Sequence, residues 1–127
     1  MIRLLAHAAI LCLAALSMTA ADTASKRVTW TGWFSDVKCA SGRAASGVYT
    51  ATNPDCARKC IEEGAAPVFI SEQARAIFTV KDHAVLDDLG YHVEIQATVD
   101  DAAKTISDLK VKRLEYEGAA CARPKKK

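Results

Sequence analysis

The chain has 127 residues, half of them hydrophobic, with 17 Lys and Arg against 15 Asp and Glu and a formal net charge of +2. The charge is uneven: residues 22–122 hold twelve basic and fifteen acidic side chains, a balance of −3, and Arg123-Pro124-Lys125-Lys126-Lys127 adds +4. A nucleic-acid binder needs a basic face on its folded body, so this distribution argues against one, and the short basic run reads as a solvated end.

The first segment reads as an export signal. Arg3 supplies a positive start, Leu4 to Leu16 is apolar except for His7, and small residues follow at Ser17, Thr19, Ala20 and Ala21. Cleavage is expected after Ala20 or Ala21. The apolar run falls short of the roughly 20 residues of a membrane-spanning helix, and no second such run follows. Cys12 lies inside the apolar run after Leu11, which argues against a lipid-anchored cysteine. The expected organisation is a signal peptide over 1–21, one small domain over 22–118 and a basic tail over 119–127. The location is periplasmic or secreted, with no transmembrane segment in the mature chain. A domain of this size has room for one modest core and gains from disulfides in an oxidising compartment.

Five strands and one helix are expected in the mature chain. Val28 to Val37 is rich in β-branched and aromatic residues, with Val28, Trp30, Gly32 and Phe34 on one face. Gly32 in mid-strand signals a bend or bulge. Ala40 to Asn53 is small and polar and reads as a loop. Asn53 as cap, Pro54 in the first turn and Asp55 at the positive end of the dipole predict a helix over 54–63, ended by Gly64. Pro67–Ser71 and Ala74–Lys81 form a hairpin, and Asp82–Gly90 is a connection with a helical turn. Tyr91 to Val99 alternates strictly, Tyr91, Val93, Ile95, Ala97 and Val99 against His92, Glu94, Gln96 and Thr98. Lys104 to Leu114 is the last strand, with Leu109 and Val111 inward. This order is that of a mainly β, five-stranded OB-like barrel. One helix, clamped by disulfides, is inserted between strands 1 and 2.

Four cysteines remain in the mature chain: Cys39, Cys56, Cys60 and Cys121. Cys56 and Cys60 share a helix face, but their Cβ vectors run parallel, which disfavours a bond between them. Cys39 is therefore expected to pair with Cys56 or Cys60, and Cys121 with the other. By the chain-entropy model each bond contributes roughly 3–4.5 kcal/mol. A thiol–disulfide enzyme using Cys56 and Cys60 is the alternative, since Arg58 and Lys59 would lower a thiol pKa. However, the spacing is one residue longer than Cys-x-x-Cys. No nucleophile elbow, haem motif or cysteine knuckle pair is present, so neither catalysis, cofactor nor metal is expected. His83 and His92 read as exposed, and Asp87-Asp88 and Asp100-Asp101 as solvated turns. Trp30 and Trp33 lie on opposite faces of the first strand, one for the core and the other for a possible binding surface.

The run Thr31-Gly32-Trp33-Phe34-Ser35-Asp36-x-x-Cys39, then Asn53-Pro54-x-Cys56-x-x-x-Cys60-Ile61-x-x-Gly64-Ala65, resembles a group of small exported bacterial proteins of unknown function with an OB-like barrel. The resemblance covers residues 29–114. A glycine after the first cysteine and a histidine shortly beyond, common in that group, are replaced here: Ala40 follows Cys39, and the next histidine is His83. The resemblance implies that the bond from Cys39 to Cys56 or Cys60 is the shared feature and Cys121 an addition. It implies no activity and no cofactor. The expectation is a disulfide-stabilised binding domain for an envelope protein, glycan or small molecule. The further alternative is a structural or stress-related envelope component.

Overall fold

The first strand, β1 (Lys26–Asp36), sends Val28, Trp30 and Phe34 into the interior and pairs antiparallel with two different neighbours. The structure is a computed structural model and describes residues 25–118. The expected signal peptide, its Cys12, the basic tail and Cys121 lie outside the described residues. Two helices follow, α1 (Val37–Ala44) and α2 (Pro54–Glu62). Then come β2 (Pro67–Ser71), β3 (Ala76–Val80), a 3-10 turn at Leu86–Asp88, β4 (Tyr91–Asp100) and β5 (Thr105–Tyr116).

The five strands make one sheet that closes on itself in the order β1-β2-β3-β5-β4. Every pairing is antiparallel except β3 with β5, a short parallel seam of Thr79↔Thr105 and Val80↔Ile106. At Gly32 the pairing of β1 passes from β4 (Gly32↔Val93) to β2 (Gly32↔Ser71). A Cβ there would sit 1.9 Å from the Ile70 carbonyl oxygen, so only glycine lets the two backbones approach.

The ring interior is filled. Phe34, Phe69, Phe78, Ile95, Ala97, Val99 and Ile106 are all buried there. Phe34 meets Phe69 edge to face at 5.5 Å, and Trp30 lies on Phe78 at 5.1 Å. Both separations fall in the favourable range for aromatic pairs. Leu109 and Val111 of β5 pack against this core, half-buried.

The connection between β1 and β2 corrects the expectation of one helix preceded by a loop. The stretch that begins Ala40–Asn53 is helical up to Ala44, so two helices stand there. Asp36, not the chain beyond it, ends β1 and caps α1: its Oδ2 accepts from the amides of Lys38 (2.9 Å) and Cys39 (3.1 Å). α1 lays Ala40 on Val68 and Ile70 outside the ring. α2 lays Ala57 and Ile61 against the main core, and the Arg58 guanidinium donates to the Leu86 carbonyl at 2.8 Å. Asn53 Oδ1 accepts from the amides of Asp55 (2.9 Å) and Cys56 (3.2 Å), as its place before Pro54 predicts. No helix among the described residues is long and apolar enough to cross a membrane.

Candidate functional site

The end of β1 and the two helices bring three chemically distinctive side chains together. Asp36 is fully buried, Cys39 lies in the first turn of α1, and Cys60 in the last turn of α2, both half-buried. A carboxylate oxygen of Asp36 and the two sulfurs all lie within 4.8 Å of one another. Oδ2 of Asp36 is occupied by the α1 amides, whereas Oδ1 is buried and has no hydrogen-bond partner. Such an orphan is costly, on the order of 1–3 kcal/mol, because water that would have solvated it is excluded.

Among the described residues no pair of cysteines stands at disulfide-bonding distance, so the expected clamp is not seen there. Cys39, Cys56 and Cys60 are free, and the Cys39 and Cys60 sulfurs stand 4.3 Å apart, about twice the length of an S–S bond. The structure nevertheless separates the two helical cysteines: Cys60 faces Cys39, and Cys56 is exposed. Burial, first, and then Asp36 and Cys60 push the Cys39 thiol up to about 12. A helix N-terminus ordinarily lowers a thiol, but here Asp36 has taken the free amides and adds a like charge. Cys39 is therefore protonated at neutral pH and a poor nucleophile. The sequence signal for this trio was present in the spacing Asp36-x-x-Cys39, a cap followed by a first-turn cysteine.

A second cluster lies on the outer face where β1, β4 and the end of β5 meet. Trp33 stacks on His92 at 4.9 Å, and its Nε1 donates to Glu117 Oε2 at 2.9 Å. His92 Nε2 lies 2.9 Å from Glu72 Oε2, and the Thr31 hydroxyl donates to the same carboxylate. His92 Nδ1 is 3.8 Å from Glu115 Oε1. Trp33 is thereby covered, at 8% exposure, and Trp30 is half-buried on Phe78. Neither of the two indoles proposed as a binding surface is openly exposed.

The histidines correct their reading as exposed side chains. His92 is half-buried in the cluster just described. His83 stacks on Phe34 at 5.6 Å and meets Asp88 Oδ2 at 3.0 Å. Asp88, read as solvated, is 8% exposed and also accepts from Arg113 Nε at 2.8 Å. These residues knit the 3-10 turn to β5 rather than converge on an open cleft. The outer face of β4 and β5 carries a shallow groove lined by Glu94, Gln96, Lys110, Val111 and Lys112. No protein-family model, curated protein or solved structure matches the chain.

Proposed function

We propose that the chain is an exported, periplasmic or secreted binding domain of OB type, without catalytic activity, stabilised by two disulfides. The order of its ring, with β5 returning beside β3 after the 3-10 connection, supports the OB reading. Because aromatic and aliphatic side chains fill the interior, its ligand, an envelope protein, glycan or small molecule, meets the outer surface. The groove of mixed charge on β4 and β5 is the surface that suits such a contact.

The observation that supports the disulfide part of this reading is the facing pair Cys39 and Cys60, 4.3 Å apart across two helices. A bond between them would tie α1 to α2. It leaves Cys56 for Cys121. Gly118 abuts the Pro54 ring at the start of α2, since a Cβ on it would lie 2.9 Å from Pro54 Cγ. The alternative thiol–disulfide enzyme requires Cys56 and Cys60 to act together, and the exposure of Cys56 away from the Cys39–Cys60 contact favours clamps instead.

Non-reducing peptide mapping of the exported protein, combined with thiol counting, tests the reading. Bonds Cys39–Cys60 and Cys56–Cys121 with no reactive thiol are expected. A Cys56–Cys60 bond, or one or two fast-reacting thiols, would overturn it in favour of redox work.

A further inference from the structure

We propose that Asp36, Cys39 and Cys60, when the two cysteines are reduced, form a binding site for one thiophilic divalent cation of the zinc class. The inference goes beyond the binding-domain reading and does not depend on what the outer face binds. It rests on three observations at one place: two facing sulfurs, a carboxylate within reach of both, and a buried carboxylate oxygen with no donor.

The distances separate a metal from a bond. Two sulfurs on one tetrahedral zinc, at 2.3 Å each, sit roughly 3.8 Å apart. The observed 4.3 Å must shorten by about 0.5 Å for that and by more than about 2 Å for a disulfide. The polypeptide thus holds the sulfurs nearer to a metal-bridged separation than to a covalent one. Soft thiolates select zinc-like ions over magnesium or calcium.

Asp36 has the features of a third ligand. The amides of Lys38 and Cys39 fix its carboxylate through Oδ2, which is how an outer shell orients a ligating group. Oδ1 is buried and left with a lone pair and no partner. A cation there satisfies the orphan oxygen. Binding expels one proton from each thiol to solvent, so the ion's two charges meet two thiolates and one carboxylate, a net −1. Three protein ligands leave a fourth tetrahedral position for water or an external ligand. The clamp and the metal are alternative states of the same sulfurs, since a disulfide removes both thiolates.

The test uses the full chain with Cys12, Cys56 and Cys121 changed to Ser, reduced and kept anaerobic, and titrated with Cd2+ as the probe. Thiolate-to-cadmium absorbance should saturate at one ion per chain, with about two protons released. Cys60→Ser should abolish the band. Asp36→Asn keeps a capping oxygen but loses the charge, and should weaken Cd2+ binding at least about tenfold. Circular dichroism shows whether each variant is folded, and Asp36→Glu, which restores the carboxylate, serves as a second variant. The proposal is overturned by absence of the band, by one ion per two chains, or by a folded Asp36→Asn variant that binds as tightly as its parent. Those failures leave the disulfide map untouched, so the two readings fall separately.

Discussion

Gly32 carries two backbones at once, pairing with Val93 on one side and Ser71 on the other. A methyl group there would lie 1.9 Å from the Ile70 carbonyl oxygen and 2.9 Å from Phe69 Cζ. The first contact is with backbone, which cannot rotate away, so Gly32→Ala must pry β1 from β2. A loss of about 3 kcal/mol is expected, the upper end for overpacking a core. Urea unfolding measures it, and a loss under about 1 kcal/mol would show that β1 can shift freely. Glu72 makes a different kind of link, joining the β2–β3 turn to Thr31 of β1 and His92 of β4. Burial, the largest single influence, raises its carboxyl. The hydrogen bonds from Thr31 and His92, with the charge of His92, outweigh that and hold it below 4.5. A carboxyl lowered in the folded state adds stability above its unfolded value, and the gain disappears as pH falls through the folded value. The stability gap between the parent and Glu72→Gln should therefore be full near neutral pH and close as pH drops below about 4.5. Thermal unfolding across that range checks it; a gap that does not change with pH would remove the carboxylate from the account.

The elements differ in how plainly their residues announce them. α2 was legible because Asn53, Pro54 and Asp55 each favour a helix start for a separate physical reason, and all three agree. β4 was legible because its period of two persists over nine residues, which no helix reproduces. α1 was not, because its eight residues include Gly42 and bury only Ala40, so no apolar stripe marks it. Its one local signal, Asp36 as a cap, was masked by the β-rich run before it. The candidate site was half legible for the same reason. The spacing of Cys56 and Cys60 led to the expectation that one of them bonds Cys39; the structure brings Cys60 near Cys39 but not to bonding distance. Which of the two comes near depends on how α2 rolls when Ala57 and Ile61 settle on the core, and that roll is decided by residues distant in sequence. His83 and Asp88 were misread because local polarity says nothing of Phe34 and Arg113, which come from other strands to cover them.

On the scale of the whole molecule, closure of the ring depends on its shortest seam. β1 and β4 are paired over the seven positions from Lys26 to Gly32, whereas β3 and β5 share only two. Two flanking hydrogen bonds extend that seam, from Thr79 N to the Lys104 carbonyl (2.8 Å) and from Lys81 N to the Ile106 carbonyl (3.2 Å). Lys104 itself adopts a positive φ of 52°, an unfavourable conformation for a side chain with a Cβ. What holds the seam is then chiefly the burial of Phe78, Val80 and Ile106 behind it. Local opening follows the path that breaks the fewest hydrogen bonds and exposes the least apolar surface. Separating β3 from β5 breaks few bonds, while separating β4 from β5 or β1 breaks a long ladder. The amides of Thr79 and Lys81 should therefore exchange with solvent by a lower-energy opening than those of β4 that donate to β1. Native-state hydrogen exchange at increasing denaturant resolves the two classes. If Thr79 and Lys81 merge with the β4 amides at every denaturant concentration, the ring opens only by global unfolding and the buried side chains, rather than the ladder, set its cooperativity.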